Sequence, residues 1–352
     1  DSVTVDEVAR LAREMTFKFA FLHLPSGGAK AGLVGRPDIS DDERQRLFYR
    51  FGEAIGDLIR DRKYVGGLDM GTGADDLAAV MSGAGVPIQP DSYNTGIDSS
   101  YFTALTVFVT AEAMLEARAR RMQGASVLVE GVGKVGMRLL RLLDEAGAKV
   151  VGVSTLSGAI YNPGGLDIAE ILQAGSQRGD EFVTDFPDCE RLPAADLFTQ
   201  HGDLLIPGGG ADSLNAQNVG GIGARWIVPV ANICATTSIE EELFRRGIEF
   251  VPGFVANSGG VFCWYLGRLS SAAREDIIRD RFKARISRLI ATADRSGQSI
   301  PGTARAIAVR NLAAMQDVDS GKLTARLMKL TSKLSPRRLA YSIGSRLFGR
   351  RW

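Results

Sequence analysis

Residues 126–136 read SVLVEGVGKVG, and this stretch decides the fold. It begins with a short apolar run of strand length and continues with glycines in the order G-x-G-x-x-G. Apolar residues at helical spacing follow over residues 135–146, so the glycines form the turn between a strand and a helix. The first glycine of such a turn permits a tight bend, the second admits a phosphate close to the backbone, and the third lets helix and strand pack. The predicted dinucleotide contacts are Gly131, Gly133, Lys134, Val135 and Gly136. A tight turn without a ligand is the alternative.

Short apolar runs and helical patterns alternate on the carboxyl side of this turn. Residues 149–154, 204–207, 226–230 and 249–251 have the length and composition of strands, and helical segments separate them. Strands that alternate with helices predict a parallel sheet covered on both faces. We therefore expect an α/β protein with a doubly wound, Rossmann-type dinucleotide-binding domain over residues 95–270.

The amino-terminal part has a different pattern, and a chain of 352 residues accommodates two domains at about 150 residues each. Residues 4–7, TVDE, form a capping box that begins a helix. Every second residue from 17 to 21 is then phenylalanine, which predicts a strand. We expect a second α/β domain over residues 1–94, which faces the first across a cleft and is joined by helices of about 271–330. Further helices are predicted over residues 41–62, 102–121 and from about 272 onward.

Composition and charge exclude several classes of protein. The formal net charge is +1, which argues against a dedicated nucleic-acid binder, because phosphate contacts need a strong basic excess. No apolar run is long enough to predict a transmembrane segment. Three cysteines without a CxxC pair and only two histidines predict neither a disulfide scaffold nor a metal site. The absence of a signal-peptide pattern leads us to expect a cytoplasmic protein.

The next strand after the glycine turn lacks the residue that commonly selects NAD. Such a strand ends in Asp or Glu, whose carboxylate holds the ribose 2′-hydroxyl, but this one ends at Thr155. Without that carboxylate the repulsion of a 2′-phosphate is lost, so both NAD and NADP remain open. Lys134, inside the turn, adds positive charge beside the phosphates.

Two lysines and an aspartate precede this domain. Lys18 lies in the predicted strand, and Lys30 follows SGGA (26–29), whose small side chains let a ligand approach the ammonium group. If the two ammonium groups are close together and partly desolvated, the pKa of at least one of them is lowered, because both effects disfavour the charged form. A lysine with a lowered pKa is suited to base chemistry. Asp69 lies in the glycine-rich loop GGLDMGTG (66–73). The alternatives are lysines that extend into solvent and an aspartate that caps a turn.

Together with the glycine turn, these segments resemble one family, the glutamate/leucine/phenylalanine/valine dehydrogenases. The similarity covers about residues 3–312, and the combination of motifs is far more specific than any one of them. It is carried by MTFKFAFLHLPSGGAKAGL (15–33), GLDMGT (67–72), NTG (94–96), GAKVVGVS (147–154), GAIYNPGGLD (158–167), VANICATT (230–237) and FVANSGGV (254–261).

The resemblance implies a reaction and the residues that perform it. Members of the family oxidise an L-amino acid with NAD or NADP to the 2-oxo acid and ammonia, reversibly and without a metal. Lys18 would pair with the substrate α-carboxylate, and Gly28 would line the substrate site. Lys30 would be the low-pKa lysine that assists water attack on the iminium intermediate, and Asp69 would move protons at the amino group.

Three further residues receive roles from the resemblance. Asn232 and Asn257 would line the cleft near the nicotinamide and the substrate, and Thr95 would lie at the hinge near the nicotinamide carboxamide. The family also implies a homo-oligomer. One departure concerns cofactor affinity, because residues 208–211 read GGGA where the family has a segment like AALE.

Another departure bears on the substrate. Glutamate-specific members carry a serine four residues past the second glycine of NSGG, where it helps hold the side-chain carboxylate; here that position is Trp264. An indole cannot replace a compact hydroxyl at a carboxylate, and an unpaired carboxylate weakens binding. We therefore expect Trp264 to contact an apolar, preferably branched-chain, amino acid. The alternatives are a Trp264 side chain in the core, a glutamate dehydrogenase, and a non-catalytic nucleotide-binding paralogue.

The carboxyl terminus, residues 331–352, is expected to form a basic tail. Residues 322–352 contain nine Lys or Arg and no acid, and Leu339, Ile343 and Leu347 recur at helical spacing. Such a segment predicts docking on an anionic membrane surface or an acidic partner. An unstructured tail or one that packs between subunits is the alternative.

Overall fold

The computed structural model describes residues 3–36, 38–67, 71–89, 96–267 and 269–319. They divide into two compact units, one drawn from Asp1–Ala9 and Ala29–Ile97, the other from Arg10–Gly28 and the chain from Asp98 onward. Arg10–Gly28 and the carboxyl-terminal helices therefore belong to the second unit, whereas the sequence patterns assign both to the first. The predicted basic tail lies outside the described residues.

The first helix overturns one prediction. Helix α1 is Val5–Phe21; it begins at the predicted N-cap and continues through residues 17–21, where the phenylalanine alternation predicts a strand. That prediction is wrong because the last turn of the helix is buried on two sides. Two of its phenylalanines pack on Phe254, and the one between them packs on Tyr265. Lys18 therefore projects from a helix.

Helices are the regular secondary structure among the described residues of the first unit. Its helices are α2 (Asp41–Ala54), α3 (Gly56–Arg60) and α4 (Ala74–Gly83). The single helix predicted over residues 41–62 is thus two helices that meet at Ile55. Gly52 and Gly83 bring α2 and α4 into backbone contact, because a Cβ at either position would overlap a backbone oxygen of the facing helix.

The second unit is built on a seven-stranded sheet in the order β4-β3-β2-β1-β5-β6-β7. The strands are β1 (Ser126–Glu130), β2 (Lys149–Thr155), β3 (Gly158–Tyr161), β4 (Glu190–Leu192), β5 (Gly202–Ile206), β6 (Ala224–Ile227) and β7 (Glu249–Phe250). Strands β1, β2, β5, β6 and β7 are parallel, and β3 and β4 continue the sheet antiparallel at one edge. The predicted α/β class with a Rossmann-type sheet is confirmed, and the short edge strands are additions.

Helices accompany these strands and continue beyond them. They are α5 (Ser99–Ala117), α6 (Lys134–Glu145), α7 (Ile168–Arg178), α8 (Thr237–Arg245), α9 (Gly253–Ala256), α10 (Gly259–Tyr265), α11 (Ser271–Ile277), α12 (Lys283–Ser296) and α13 (Ile300–Asp319). A π-helical turn, Ile278–Phe282, joins α11 to α12. None of the helices in the described ranges combines the length and apolar character that crossing a bilayer requires.

The core of the second unit fixes the carboxyl edge of the sheet. Leu128, Leu205 and Ile227, from three adjacent strands, are fully buried in one cluster with Leu243 of α8 and Phe250 of β7. Burial of each such side chain stabilises the fold by about 1.5–3 kcal/mol. The loops that leave the strands therefore start from a rigid edge.

Candidate functional site

The glycine turn lies where the strand order reverses. Strand β1 has β2 on one side and β5 on the other, and open α/β sheets bind ligands outside the carboxyl ends of their strands at such a point. Gly131 has a φ of +87°, and a Cβ there would lie 3.2 Å from the carbonyl carbon of Gly208. The first position of the turn thus requires glycine for its backbone conformation and for the approach of the β5 loop.

The second and third glycines meet opposite surroundings. A Cβ on Gly133 would have nothing within 4 Å, whereas a Cβ on Gly136 would overlap the carbonyl oxygen of Gly131. Gly133 is the N-cap of α6, whose first residues are Lys134 and Val135. The open space thus lies before the amino terminus of a helix of 12 residues, which favours an anion. These residues fit the pyrophosphate of a dinucleotide.

Glu130 is a site residue that the motifs do not reveal. Its carboxylate accepts hydrogen bonds from the backbone amides of Gly208 (3.1 Å) and Gly209 (3.0 Å). A Cβ on Gly209 would overlap that carboxylate, so the glycine run at residues 208–210 lets the β5 loop fold onto Glu130. The available signal is an acid directly before the first glycine of the turn.

The structure brings three predicted side chains together at this edge of the sheet. Lys18, only 4% exposed, donates from Nζ to Oδ1 of Asn232 at 3.0 Å. Asn257 donates from Nδ2 to the same oxygen at 3.0 Å and to the carbonyl of Val230 at 2.7 Å. Asn232 follows β6 and Asn257 follows β7, so both lie beyond the carboxyl ends of parallel strands, as the glycine turn does.

The side-chain oxygen of Asn257 is buried and accepts no hydrogen bond from the described residues. Its side chain is 5% exposed, and Oδ1 has no hydrogen-bond partner within the described part of the chain. A buried acceptor without a donor destabilises a fold by about 1–3 kcal/mol. The geometry thus offers a buried oxygen to an N–H group of a bound molecule.

Glu14 lies one helical turn before Lys18 on α1. Burial raises its pKa from 4.5 to about 7, and Glu240 adds to the rise, while Arg305, Lys18 and Arg13 oppose it. Glu240 is itself buried and accepts two hydrogen bonds from the Arg305 guanidinium, at 2.6 and 2.7 Å. The carboxyl group of Glu14, one helical turn before Lys18, therefore has a pKa near neutrality.

Replacing Glu14 with Gln is expected to stabilise the protein above neutral pH. Because the folded pKa of about 7 exceeds the ordinary 4.5, the folded state binds more protons between these values, and stability falls as the pH rises through them. The loss is at most about 3 kcal/mol at pH 8. The Tm of Glu14→Gln should exceed that of the wild type at pH 8, and the gap should narrow toward pH 4.5. Glu145→Gln, at an exposed position on α6, is the control. Parallel Tm-against-pH curves for Glu14→Gln and the wild type would contradict the raised pKa.

Gly28 has a packing role in the structure. Its amide donates to the Thr16 hydroxyl at 3.1 Å, and a Cβ would overlap the backbone of α1 at Ala12 and Thr16. The close approach of this loop to α1 accounts for glycine here, and contact with a substrate stays a prediction.

Lys30 is half-buried, and burial lowers the pKa of its ammonium group from 10.5. This is the direction that base chemistry needs, and it agrees with the prediction that partial desolvation lowers the pKa of at least one of the two lysines. Asp69, the other predicted catalytic residue, and Thr95, predicted to lie at the hinge near the nicotinamide carboxamide, are outside the described residues.

Trp264 lies near the end of α10 and is 54% exposed. A core position for its ring, one alternative from the sequence, is therefore wrong. The ring packs edge-on against Tyr265, whose hydroxyl is hydrogen-bonded to Ser26. Trp264 thus presents apolar surface on the segment that follows Asn257.

Thr155 ends β2 as predicted but turns its side chain away from solvent. It is 8% exposed; its hydroxyl donates to the carbonyl of Asp180 at 2.8 Å and accepts from the amide of Ser157 at 3.2 Å. The side chain that stands in the place of the usual acid is thus engaged with backbone groups.

The sheet, its strand order and the glycine turn define a dinucleotide-binding α/β protein. The chain belongs to the Glutamate/Leucine/Phenylalanine/Valine dehydrogenase family, whose model matches residues 97–318. Residues 1–84 match a second model, described as Glu/Leu/Phe/Val dehydrogenase, dimerisation domain. NAD or NADP is the cofactor of this family, and the residues of the turn fit it.

Named relatives agree with this membership. Glutamate dehydrogenase A2 of Halobacterium salinarum is 34% identical over 276 residues, which cover 75% of this chain and 66% of that relative's own length. A hetero-hexameric glutamate dehydrogenase from Thermus thermophilus, solved in a Leu-bound form, has a TM-score of 0.72 at 26% identity, covering 90% of this chain and 80% of that one. L-Tryptophan dehydrogenase from Nostoc punctiforme has a TM-score of 0.61 at 21% identity over 89% and 84% of the two chains, a similarity of fold.

Proposed function

We propose that the protein is an NAD(P)-dependent L-amino-acid dehydrogenase, which oxidises the CH–NH₂ group of an apolar amino acid to the 2-oxo acid and releases ammonia. The observation that carries the proposal is the hydrogen-bonded group of Lys18, Asn232 and Asn257. It lies at the same edge of the sheet as the glycine turn. Membership of the family supports the reaction class.

Lys18 and Asn257 have the chemistry to orient the substrate. The Lys18 ammonium is buried beside Asn232, and a substrate α-carboxylate would form a charge-assisted hydrogen bond with it. Asn232 accepts from both side chains and holds them in place. The Asn257 Oδ1 atom then accepts an N–H group of the bound substrate or of the nicotinamide carboxamide.

Lys30 can act as the general base that accepts a proton from the attacking water. A bound NAD(P)⁺ would supply the hydride acceptor, and the substrate Cα that gives up the hydride would become the iminium carbon that water attacks. The neutral amine of Lys30, favoured by its lowered pKa, takes a proton from water as the water oxygen adds to that carbon. The C–N bond then breaks, ammonia leaves, and the 2-oxo acid remains. Proton transfer at the amino group is assigned to Asp69.

The substrate class rests on Trp264. Its half-exposed indole gives an apolar side chain a surface to pack on and offers a carboxylate no compact hydroxyl. A glutamate dehydrogenase is the second candidate, because the Halobacterium relative at 34% identity carries that name. The position of Trp264 favours the apolar substrate, and the relative favours glutamate.

A matrix of leucine, valine, phenylalanine and glutamate against NAD⁺ and NADP⁺ separates these candidates. We expect absorbance of reduced cofactor with an apolar amino acid, and Trp264→Ser should raise kcat/KM for glutamate relative to leucine by about tenfold. Phe244→Ser, at an exposed aromatic residue of α8, should leave the ratio unchanged. Turnover of glutamate alone by the wild type would contradict the apolar assignment. Absence of turnover with nucleotide binding retained would point to a non-catalytic paralogue.

We also propose that the protein is a homo-oligomer. The match of residues 1–84 to a dimerisation domain supports association, and the Thermus thermophilus enzyme is a hexamer of unlike chains.

A further inference from the structure

We propose that Glu181 supplies the carboxylate that the end of β2 lacks, so that the protein prefers NAD over NADP. The inference rests on the proposed function, since it takes the glycine turn to hold a dinucleotide. Glu181 would then recognise the ribose of the adenosine half.

The position of Glu181 follows from the hairpin between β2 and β3. Thr155 pairs with Gly158, so residues 156–157 form the tip of a tight hairpin at the carboxyl end of β2. There the Ser157 hydroxyl donates to Oε1 of Glu181 at 2.8 Å. Glu181 lies in a short 3₁₀ helix, Gly179–Thr184, and its carboxylate thus stands at the strand end where Rossmann folds bind the ribose.

Thr155 cannot take this role itself. Its hydroxyl proton is directed to the Asp180 carbonyl, and one of its lone pairs accepts the Ser157 amide. The Glu181 carboxylate is exposed, and its two oxygens together offer about four acceptor sites. A carboxylate that already accepts from Ser157 therefore retains the capacity to accept the 2′-hydroxyl and 3′-hydroxyl of a ribose.

The charge around Glu181 opposes a 2′-phosphate. Residues 178–185, RGDEFVTD, contain one arginine and three acids. The Arg178 guanidinium is bonded to the Asp185 carboxylate and to the backbone carbonyl of Glu181. Arg191 of β4 donates to the backbone carbonyl of Phe186. A 2′-phosphate brought to Ser157 would meet net negative charge, whereas a hydroxyl would find an acceptor.

The test measures binding of NADH and NADPH to the full chain by fluorescence titration, without turnover. The wild type should bind NADH at least about tenfold more tightly than NADPH. Glu181→Gln should weaken the binding of NADH by about tenfold and bring the ratio of the Kd values for NADH and NADPH toward one. Glu190→Gln removes the same charge at the opposite end of the β3–β4 pair, beside Tyr161, and should leave the ratio unchanged.

Each outcome decides the assignment. An unchanged ratio in Glu181→Gln, with an unaltered Tm, would overturn it, and so would a wild type that binds NADPH as tightly as NADH. In both cases amino-acid turnover would leave the proposed function standing. Failure of the folded wild type to bind either nucleotide would overturn the inference and the proposed function together. Ser157→Ala gives a milder variant, whose ratio should fall between those of the wild type and Glu181→Gln.

Discussion

Replacing Lys30 with Ala is expected to lower kcat/KM for amino-acid oxidation about a thousandfold and to leave the Kd for NADH unchanged. General base catalysis contributes about 10²–10⁴ to a rate, and burial lowers the pKa of Lys30 toward the range in which an amine accepts protons. The activity of the wild type should therefore rise with pH as Lys30 loses its proton. Steady-state rates across pH, with NADH titration beside them, measure both effects.

Two further variants isolate the proton transfer. Lys30→Arg keeps the charge but cannot accept a proton, since a guanidinium pKa exceeds about 12, so its turnover should remain as low as that of Lys30→Ala. Lys63, an exposed lysine of the same unit, is bonded to Asp61 at 2.9 Å, and Lys63→Ala should behave as the wild type. Activity of Lys30→Ala within tenfold of the wild type would overturn the assignment.

Alanine at Gly133 and at Gly136 should separate ligand binding from folding. At Gly136 the new methyl group would overlap the backbone oxygen of Gly131, so the strand and α6 must move apart, which destabilises the protein by about 2–3 kcal/mol. At Gly133 nothing lies within 4 Å, and φ is −80°, which alanine adopts without strain. Gly133→Ala should therefore have the same Tm as the wild type. It should bind NADH at least about tenfold more weakly, because the methyl group fills the space in front of the amides at the start of α6.

Urea unfolding and NADH titration on the two variants give the comparison. A Gly133→Ala variant that unfolds as readily as Gly136→Ala would show that the open space has a structural role. One that binds NADH as tightly as the wild type would place the pyrophosphate elsewhere.

The glycine turn could be predicted from the sequence because all its signals are local. An apolar strand, the spacing of three glycines and a helical pattern lie within residues 126–146 and predict β1 and α6 to within a residue. The strand predicted at residues 17–21 fails because those phenylalanines are placed by Phe254 and Tyr265, far along the chain. The edge strands β3 and β4 are too short for a pattern of their own and form by pairing.

The contacts within the candidate site also depend on residues that are far apart in the sequence. Lys18, Asn232 and Asn257 could be singled out as residue types, but the bond between Lys18 and Asn232 joins positions 214 apart, which no local pattern reveals. Glu130 and Glu181 were missed because their surroundings are built by loops from other strands and helices. Asp69 and Thr95 remain predictions.

The contact between Glu130 and the β5 loop makes the residues tolerated at positions 130 and 209 depend on each other. The Glu130 carboxylate occupies the volume that a side chain at position 209 would need, and in return binds the amides of Gly208 and Gly209. Alanine at position 209 would displace the Glu130 carboxylate from both amides, whereas a side chain at position 130 too short to reach residue 209 would leave room for that alanine. The effect of a substitution at either position therefore depends on the residue at the other, and we expect the stability changes of substitutions at 130 and 209 to be non-additive.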